Sequence, residues 1–205
     1  MSNKNIVIKN LSYIQDSKVL FNNINLTLNQ GTVFLVKGAN GTGKTTLLKI
    51  FAGLIQPSKG NIICNVKKNS IKGLTAYLAS DALLQEEYTV IDYMILWSII
   101  YNGSKNINHK HIEQIMSYLD LYHLSRKQIG TLSLGQKKRL LLSKILLSNR
   151  LVWVLDEPTI GLDHYWMDFF YTLLRKHTQN GGIVLLTTHN EHKIHNLKII
   201  HLVAS

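Results

Sequence analysis

The sequence predicts an α/β fold: a mainly parallel sheet core with helices on its faces, an antiparallel β part and an inserted helical subdomain. Three observations carry this. Thr32-Val33-Phe34-Leu35-Val36 is a continuous apolar run, followed by a glycine-rich turn and a helical stretch from Thr45 to Ala52. A strand apolar on both sides belongs in a parallel sheet covered on both faces. Leu151-Val152-Trp153-Val154-Leu155 and Ile183-Val184-Leu185-Leu186-Thr187 are two more such runs, with a helical pattern from about Tyr165 to Thr178 between them. Strand–helix–strand alternation implies parallel neighbours. Roughly Val90 to Asn149 reads as helices without strands.

The elements follow in order. Ile6-Val7-Ile8 and Ile24-Asn25-Leu26-Thr27-Leu28 read as strands, and the second alternates as a half-buried antiparallel strand does. Gly53 is placed to stop the first helix. A chain of 205 residues suits one compact domain. We divide it into an α/β core at about residues 1–89 and 150–205 and a helical subdomain at 90–149. Repeats, low-complexity tracts and proline-rich linkers are absent from the sequence, whose two prolines are Pro57 and Pro158.

Composition excludes several classes. With 45% hydrophobic residues the chain can build a core, so disorder is not the default. The single cysteine, Cys64, rules out a disulfide framework within the chain and fits a reducing compartment. It lies in the apolar run Asn61-Ile62-Ile63-Cys64, as a core residue rather than a reactive thiol. The formal net charge of +11 admits nucleic acid, an anionic membrane surface or an acidic partner. The basic clusters Lys67-Lys68 and Lys137-Lys138-Arg139 are short, and no nucleic-acid recognition module accompanies them, so no nucleic-acid partner is expected. The start, Met1-Ser2-Asn3-Lys4-Asn5, is polar and unlike a signal peptide. The most apolar segment, Tyr93 to Tyr101, is well short of the roughly 20 residues that cross a bilayer. Work at a membrane would require another chain to hold this one there.

Gly38-Ala39-Asn40-Gly41-Thr42-Gly43-Lys44-Thr45 matches the P-loop pattern in full, between a predicted strand and a predicted helix. The glycines let backbone N–H groups converge on phosphate oxygens, and the following helix aims its positive end at the same anion. Candidate nucleotide ligands are therefore Gly38, Asn40, Gly41, Gly43, Lys44, Thr45 and Thr46. Lys44 would reach the β- and γ-phosphates and the Thr45 hydroxyl a Mg²⁺ ion. Leu155-Asp156-Glu157-Pro158 ends a buried strand on two carboxylates, where a parallel sheet presents ligands. Asp156 is the candidate Mg²⁺ ligand and Glu157 the candidate base that polarises the attacking water. Leu132-Ser133-Leu134-Gly135-Gln136 precedes a helical pattern, Lys137 to Leu147, and read alone is a serine-capped helix start.

Standing just before Asp156-Glu157, that segment resembles the LSGGQ signature of ABC ATPases. The resemblance implies that Ser133, Gly135 and Gln136 bind the γ-phosphate of ATP held by the P-loop of a second nucleotide-binding subunit. Gly161-Leu162-Asp163 resembles the family's D-loop, which crosses the dimer interface, so Asp163 joins the nucleotide-binding set. Thr187-Thr188-His189 resembles the switch histidine, and His189 would bond the γ-phosphate and help orient Glu157. Tyr13 stands where the family places an aromatic that stacks on adenine.

The resemblance runs from about Ile6 to Leu202. It narrows at Val19-Leu20-Phe21, Trp153, the signature segment and Leu186-Thr187-Thr188-His189, which look like the ATP-binding subunits of the cytochrome c maturation system, or haem exporter. The chain is short for the family and stops one strand after His189. This likeness implies an ATPase on the cytoplasmic face of a bacterial inner membrane, or its organellar equivalent. Its cofactors would be ATP and Mg²⁺ and its partners a homodimeric mate and integral membrane subunits. Its hydrolysis would be linked to release of a haem-loaded chaperone. Two departures stand out. Leu134 occupies a position where the general family has glycine. Aligning Ala76-Tyr77-Leu78 with the strand before the Q-loop puts Asp81 at the glutamine position, as a third candidate Mg²⁺ ligand, with Gln85 the less favoured substitute. His109, His111, His123, His192, His195 and His201 lack a ligating motif, so haem handling falls to partner chains. Other readings are an ABC ATPase serving another cargo, a soluble ABC ATPase and a nucleotide-binding module that does not hydrolyse.

Overall fold

The computed structural model describes residues 5–65, 71–191 and 193–203; Lys67-Lys68 and His192 lie outside them. In chain order the elements are β1 (Asn5–Gln15), β2 (Lys18–Asn29), β3 (Val33–Lys37), α1 (Lys44–Phe51), β4 (Lys59–Cys64), α2 (Ile71–Leu74), β5 (Thr75–Leu78), α3 (Val90–Asn102), α4 (His109–Tyr118), α5 (Leu134–Ser148), β6 (Val152–Asp156), α6 (His164–Gln179), β7 (Ile183–Thr187) and β8 (Leu197–His201). Three short 3₁₀ turns, Ser104–Asn106, Tyr122–Leu124 and Ile129–Thr131, lie between helices. The chain forms two compact units, one of Met1–Ala79, Arg150–Thr159 and Asp168–Ser205, the other of Ser80–Asn149 and Ile160–Met167.

The first unit holds both sheets. One is antiparallel, in the order β2-β1-β4; the other has five strands, β5-β6-β7-β3-β8, and every neighbouring pair is parallel. The apolar runs read as two-faced strands are that: every residue of β6 and β7 is buried. The sequence reading gives these two strands only as residues 6–8 and 24–28, but the structure carries the first on to Gln15 and starts the second at Lys18, as an irregular pair. Asn10 and Asn23 take positive φ of 50° and 55°. The ladder groups they displace find side chains, Asn10 N–H donating to Asn25 Oδ1 at 3.0 Å and Asn23 N–H to Ser12 Oγ at 2.9 Å. Short polar side chains tolerate such bulges.

α1 buries Leu47, Leu48, Ile50 and Phe51 against a core that includes Phe34, Val154 and Leu185. Gly53 ends it as expected. Its φ is +69°, its N–H reaches Ile50 O, and Leu54 N–H reaches Lys49 O at 2.9 Å, a Schellman stop.

His177 of α6 is a structural histidine. Its ring stacks on Trp153 of β6, with centroids 3.8 Å apart and planes 6° from parallel, and its Nε2 lies 3.1 Å from Leu151 O. A Cβ on Gly182 would meet that ring at 2.3 Å, so glycine is required there. Burial pushes the imidazole down to about 4. The unfolded chain takes up this proton near 6.5 and the folded chain only near 4. The unfolded state therefore binds more protons between those values, and stability falls as pH drops through that window. The loss amounts to about 3 kcal/mol at most. Thermal melts from pH 7.5 to 4.5 should show His177→Gln losing less stability on acidification than the parent. Equal slopes would remove His177 as a source of acid sensitivity.

The second unit is helical, and among the described residues its only extended pairing is the single bridge Thr89–Gln128. Thr89 caps α3 in a reciprocal box with Asp92. The segment Tyr93 to Tyr101 buries Tyr93, Met94 and Ser98, while Ile100 is exposed. Tyr93, Trp97 and Tyr101 form a ladder at helical spacing, and Lys144 of α5 sets its ammonium 3.8 Å from the Trp97 ring centre. Burial lowers that lysine to about 8. Arg139 is also buried: it donates to Leu119 O and to Asp120 Oδ2, and its guanidinium lies 4.5 Å over Trp166.

Candidate functional site

Parallel strands present their carboxyl ends on one edge, and there β3, β6 and β7 deliver their terminal residues. β3 runs into Gly38 and the loop to α1. Gly41 and Gly43 take φ of +79° and +91°, which glycine adopts without strain. Gly38 has no room for a side chain: a Cβ would stand 2.6 Å from Thr42 Oγ1 and 2.7 Å from Leu202 O. Gly43 is the N-cap of α1, makes no side-chain cap bond, and no acid stands in the first turn. The opening N–H groups are left for an external anion, which the helix dipole favours. The Lys44 ammonium folds back on the loop, donating to Gly38 O at 2.8 Å and Ala39 O at 2.9 Å. Asn40 is exposed and Thr46 half-buried in the first turn.

Asp156, 3% exposed at the end of β6, takes a hydrogen bond on each oxygen. Thr45 Oγ1 donates to Oδ2 at 2.7 Å and Thr187 Oγ1 to Oδ1 at 2.6 Å. The Thr187 partner follows from register, because β6 and β7 pair Asp156 with Thr187. Thr187 Oγ1 also accepts from Glu157 N–H at 3.0 Å, which holds Glu157 at a φ of +47°. That turn swings the Glu157 side chain into a cavity of about 270 Å³ lined with Lys44, Gly38, Thr188 and His189. His189 Nε2 stands 3.5 Å from Glu157 Oε1. Burial, with Asp156 adding to it, raises the Glu157 carboxyl above its usual range, while His189 and Lys44 pull it back. A more basic carboxylate beside a phosphate-sized cavity is suited to polarising water.

The same residues admit Mg²⁺. Two oxygens, one hydroxyl and one buried carboxylate, converge 2.7 Å apart. No cluster of three or more metal-binding side chains exists among the described residues. Mg²⁺ prefers that minimal arrangement, completing its shell from phosphates and water.

Tyr13 is half-buried on β1 and stacks on Phe21 of β2, at 6.2 Å between centroids. A Cβ on Gly43 would touch Leu20 and Phe21 at 3.1 and 3.2 Å, so this aromatic pair borders the P-loop.

A family model described as ABC transporter matches residues 21–160. The cytochrome c biogenesis ATP-binding export protein CcmA of Reclinomonas americana is 47% identical over 191 residues, covering 92% of this chain and 86% of its own length. The chain belongs to the ABC transporter family, among the cytochrome c biogenesis ATP-binding export proteins. The protein of the same name from Rickettsia bellii is 35% identical, covering 90% of this chain and 93% of its own. A solved ABC transporter ATP-binding protein from Pyrococcus furiosus superposes with a TM-score of 0.83 at 27% identity, over 98% of this chain and 100% of that one. This ABC transporter chain is therefore an ATPase that works within a membrane transporter complex. No helix among the described residues is long and apolar enough to cross a membrane.

The second unit carries the other residues singled out in this ABC transporter. Ser133 caps α5 in a reciprocal box: its Oγ accepts from Gln136 N–H at 3.3 Å, and Gln136 Oε1 accepts from Ser133 N–H at 2.9 Å. The helix-cap reading of this segment thus holds as local structure. It leaves the Ser133 hydroxyl proton free to donate, since the oxygen only accepts. Gly135 is open, with nothing within 4 Å of a would-be Cβ. Leu134 is 65% exposed and leans toward Gly161, its Cδ2 3.7 Å from a would-be Cβ there. Asp163 caps α6 by accepting from Trp166 N–H at 2.9 Å. Asp81 and Gln85 are both exposed in the segment after β5.

Proposed function

We propose that this chain hydrolyses ATP, with Mg²⁺, as one half of a homodimer that drives a cytochrome c biogenesis complex at the cytoplasmic face of a bacterial-type inner membrane. The observation that carries the hydrolytic part is the convergence of Thr45, Asp156, Glu157 and His189 beside the glycine loop. The name of the 47% identical relative supports the biogenesis role.

In this reading the amides of the Gly38–Thr45 loop and the Lys44 ammonium hold the phosphates, and Tyr13 stacks on the base. Thr45 and Asp156 hold Mg²⁺, which supplies charge neutralisation at the phosphate oxygens when bound. Glu157 accepts a proton from water as its oxygen attacks the γ-phosphorus, and the bond to the ADP oxygen breaks. His189 bonds the γ-phosphate and orients Glu157. Ser133, Gly135 and Gln136 of one copy meet the γ-phosphate held by the other, with Asp163 at the seam. Asp81 stands in for the Q-loop glutamine.

The test is complementation. In a bacterium whose own cytochrome c biogenesis ATP-binding export protein has been deleted, the chain should restore haem-stained c-type cytochromes. Restored ATPase activity in membranes without cytochromes would assign another cargo. In the same strain Asp81→Ala should lower the yield of cytochromes. A silent Asp81→Ala beside a damaging Gln85→Ala would move the Q-loop role to Gln85.

A further inference from the structure

The cavity that holds Lys44, Glu157 and His189 also contains an ion pair with no role in the reading above. Lys37, the last residue of β3, donates to Glu191 Oε1 at 2.6 Å, and both line the cavity. The pair joins the strand that feeds the glycine loop to the loop that carries His189. His189 needs such help, because its side chain is 86% exposed and packing does not fix its place. The residues around it are tied instead. Thr188 Oγ1 lies 3.4 Å from Thr159 Oγ1 and accepts from Asn190 N–H at 3.1 Å. Tyr171 O–H donates to Asn190 O at 2.9 Å. Glu191, two residues past His189, closes the series on Lys37.

We propose that the Lys37–Glu191 pair is a positioning tether that holds the His189 loop to the P-loop strand and keeps Lys37 neutralised beside the phosphate cavity. This rests on the reading of that cavity as the ATP site. Two consequences differ in sign. Without Glu191 the loop is loosened, but an unpaired ammonium is released toward the phosphates. Without Lys37 the loop is loosened equally, but an unpaired carboxylate faces them.

The test is steady-state hydrolysis by the full chain, with kcat and KM for ATP measured separately and folding checked by thermal melting. A half-exposed pair supports changes of about two- to fivefold. Glu191→Ala should lower kcat by that factor and also lower KM. Lys37→Met should lower kcat similarly and raise KM. Exchanging the charges, Lys37→Glu with Glu191→Lys, should return kcat toward the parent value, whereas either reversal alone should not. Wild-type kcat in both single variants would overturn the proposal. So would a KM that moves the same way in both, which is the mark of general damage. His189→Ala separates this failure from that of the underlying reading. If it hydrolyses like the parent, the site assignment is wrong; if it is inactive while the Lys37 and Glu191 variants are normal, only the tether is.

Discussion

Glu157→Gln should abolish steady-state ATP hydrolysis and leave ATP binding intact. A positioned general base contributes about 10²- to 10⁴-fold. Glutamine keeps the size of the side chain and the polar contact to His189 but cannot accept the proton of the attacking water. Binding should survive because the Lys44 ammonium is held by Gly38 O and Ala39 O rather than by Glu157, and glutamine keeps the contact to His189. The anchor in its segment is the backbone bond to Thr187 Oγ1, which the substitution leaves in place. Phosphate release measures the first half and titration with a fluorescent ATP analogue the second. Turnover like the parent's would remove Glu157 from the mechanism, and loss of binding would make it a ligand rather than a base. Since burial raises this carboxyl in the free enzyme, the acid limb of the parent's kcat/KM profile should lie above the ordinary glutamate range near 4.3, with activity rising as the group ionises.

Much of this was legible in the sequence because it depends on local pattern. Thr32 to Val36, Leu151 to Leu155 and Ile183 to Thr187 declare two-faced strands because they are apolar but for a terminal threonine in the first and last, and β3, β6 and β7 lie there. The glycine loop is legible because its spacing is itself the geometry. What escaped depends on register. That Thr187 holds Asp156 needs β6 and β7 aligned residue by residue, and that Lys37 meets Glu191 joins positions 154 apart in the chain. The first two strands were read too short for the opposite reason. Asn10, Asn22 and Asn23 look like strand ends, and only cross-strand side-chain bonds show them to be bulges.

The shared-site dimer predicts that two inactive variants repair each other. Each composite site would take Lys44 from one chain and Ser133 from the other. A Lys44→Ala homodimer lacks the loop ammonium in both sites, and a Ser133→Arg homodimer has both trans contacts blocked. Arginine at 133 also removes the oxygen that caps Gln136 N–H, worth about 1 kcal/mol, so each variant must be shown to be folded. Mixed, they form a heterodimer with one site damaged twice and one intact. The intact site takes Lys44 from the Ser133→Arg chain and Ser133 from the Lys44→Ala chain. ATP-dependent dimerisation should therefore partly return in the mixture, although neither parent shows it. Light scattering in a Glu157→Gln background reads this without turnover. Since neither parent self-associates, every dimer that forms is mixed, and the signal should exceed that of either parent but stay below that of Glu157→Gln alone, whose dimers hold two intact sites. Leu134 supplies a control: exposed beside Ser133 and leaning toward Gly161, it should tolerate glycine with dimerisation unchanged or tighter. A mixture no better than its folded parents would mean that each chain completes its own site, and Ser133 would then be a helix cap alone.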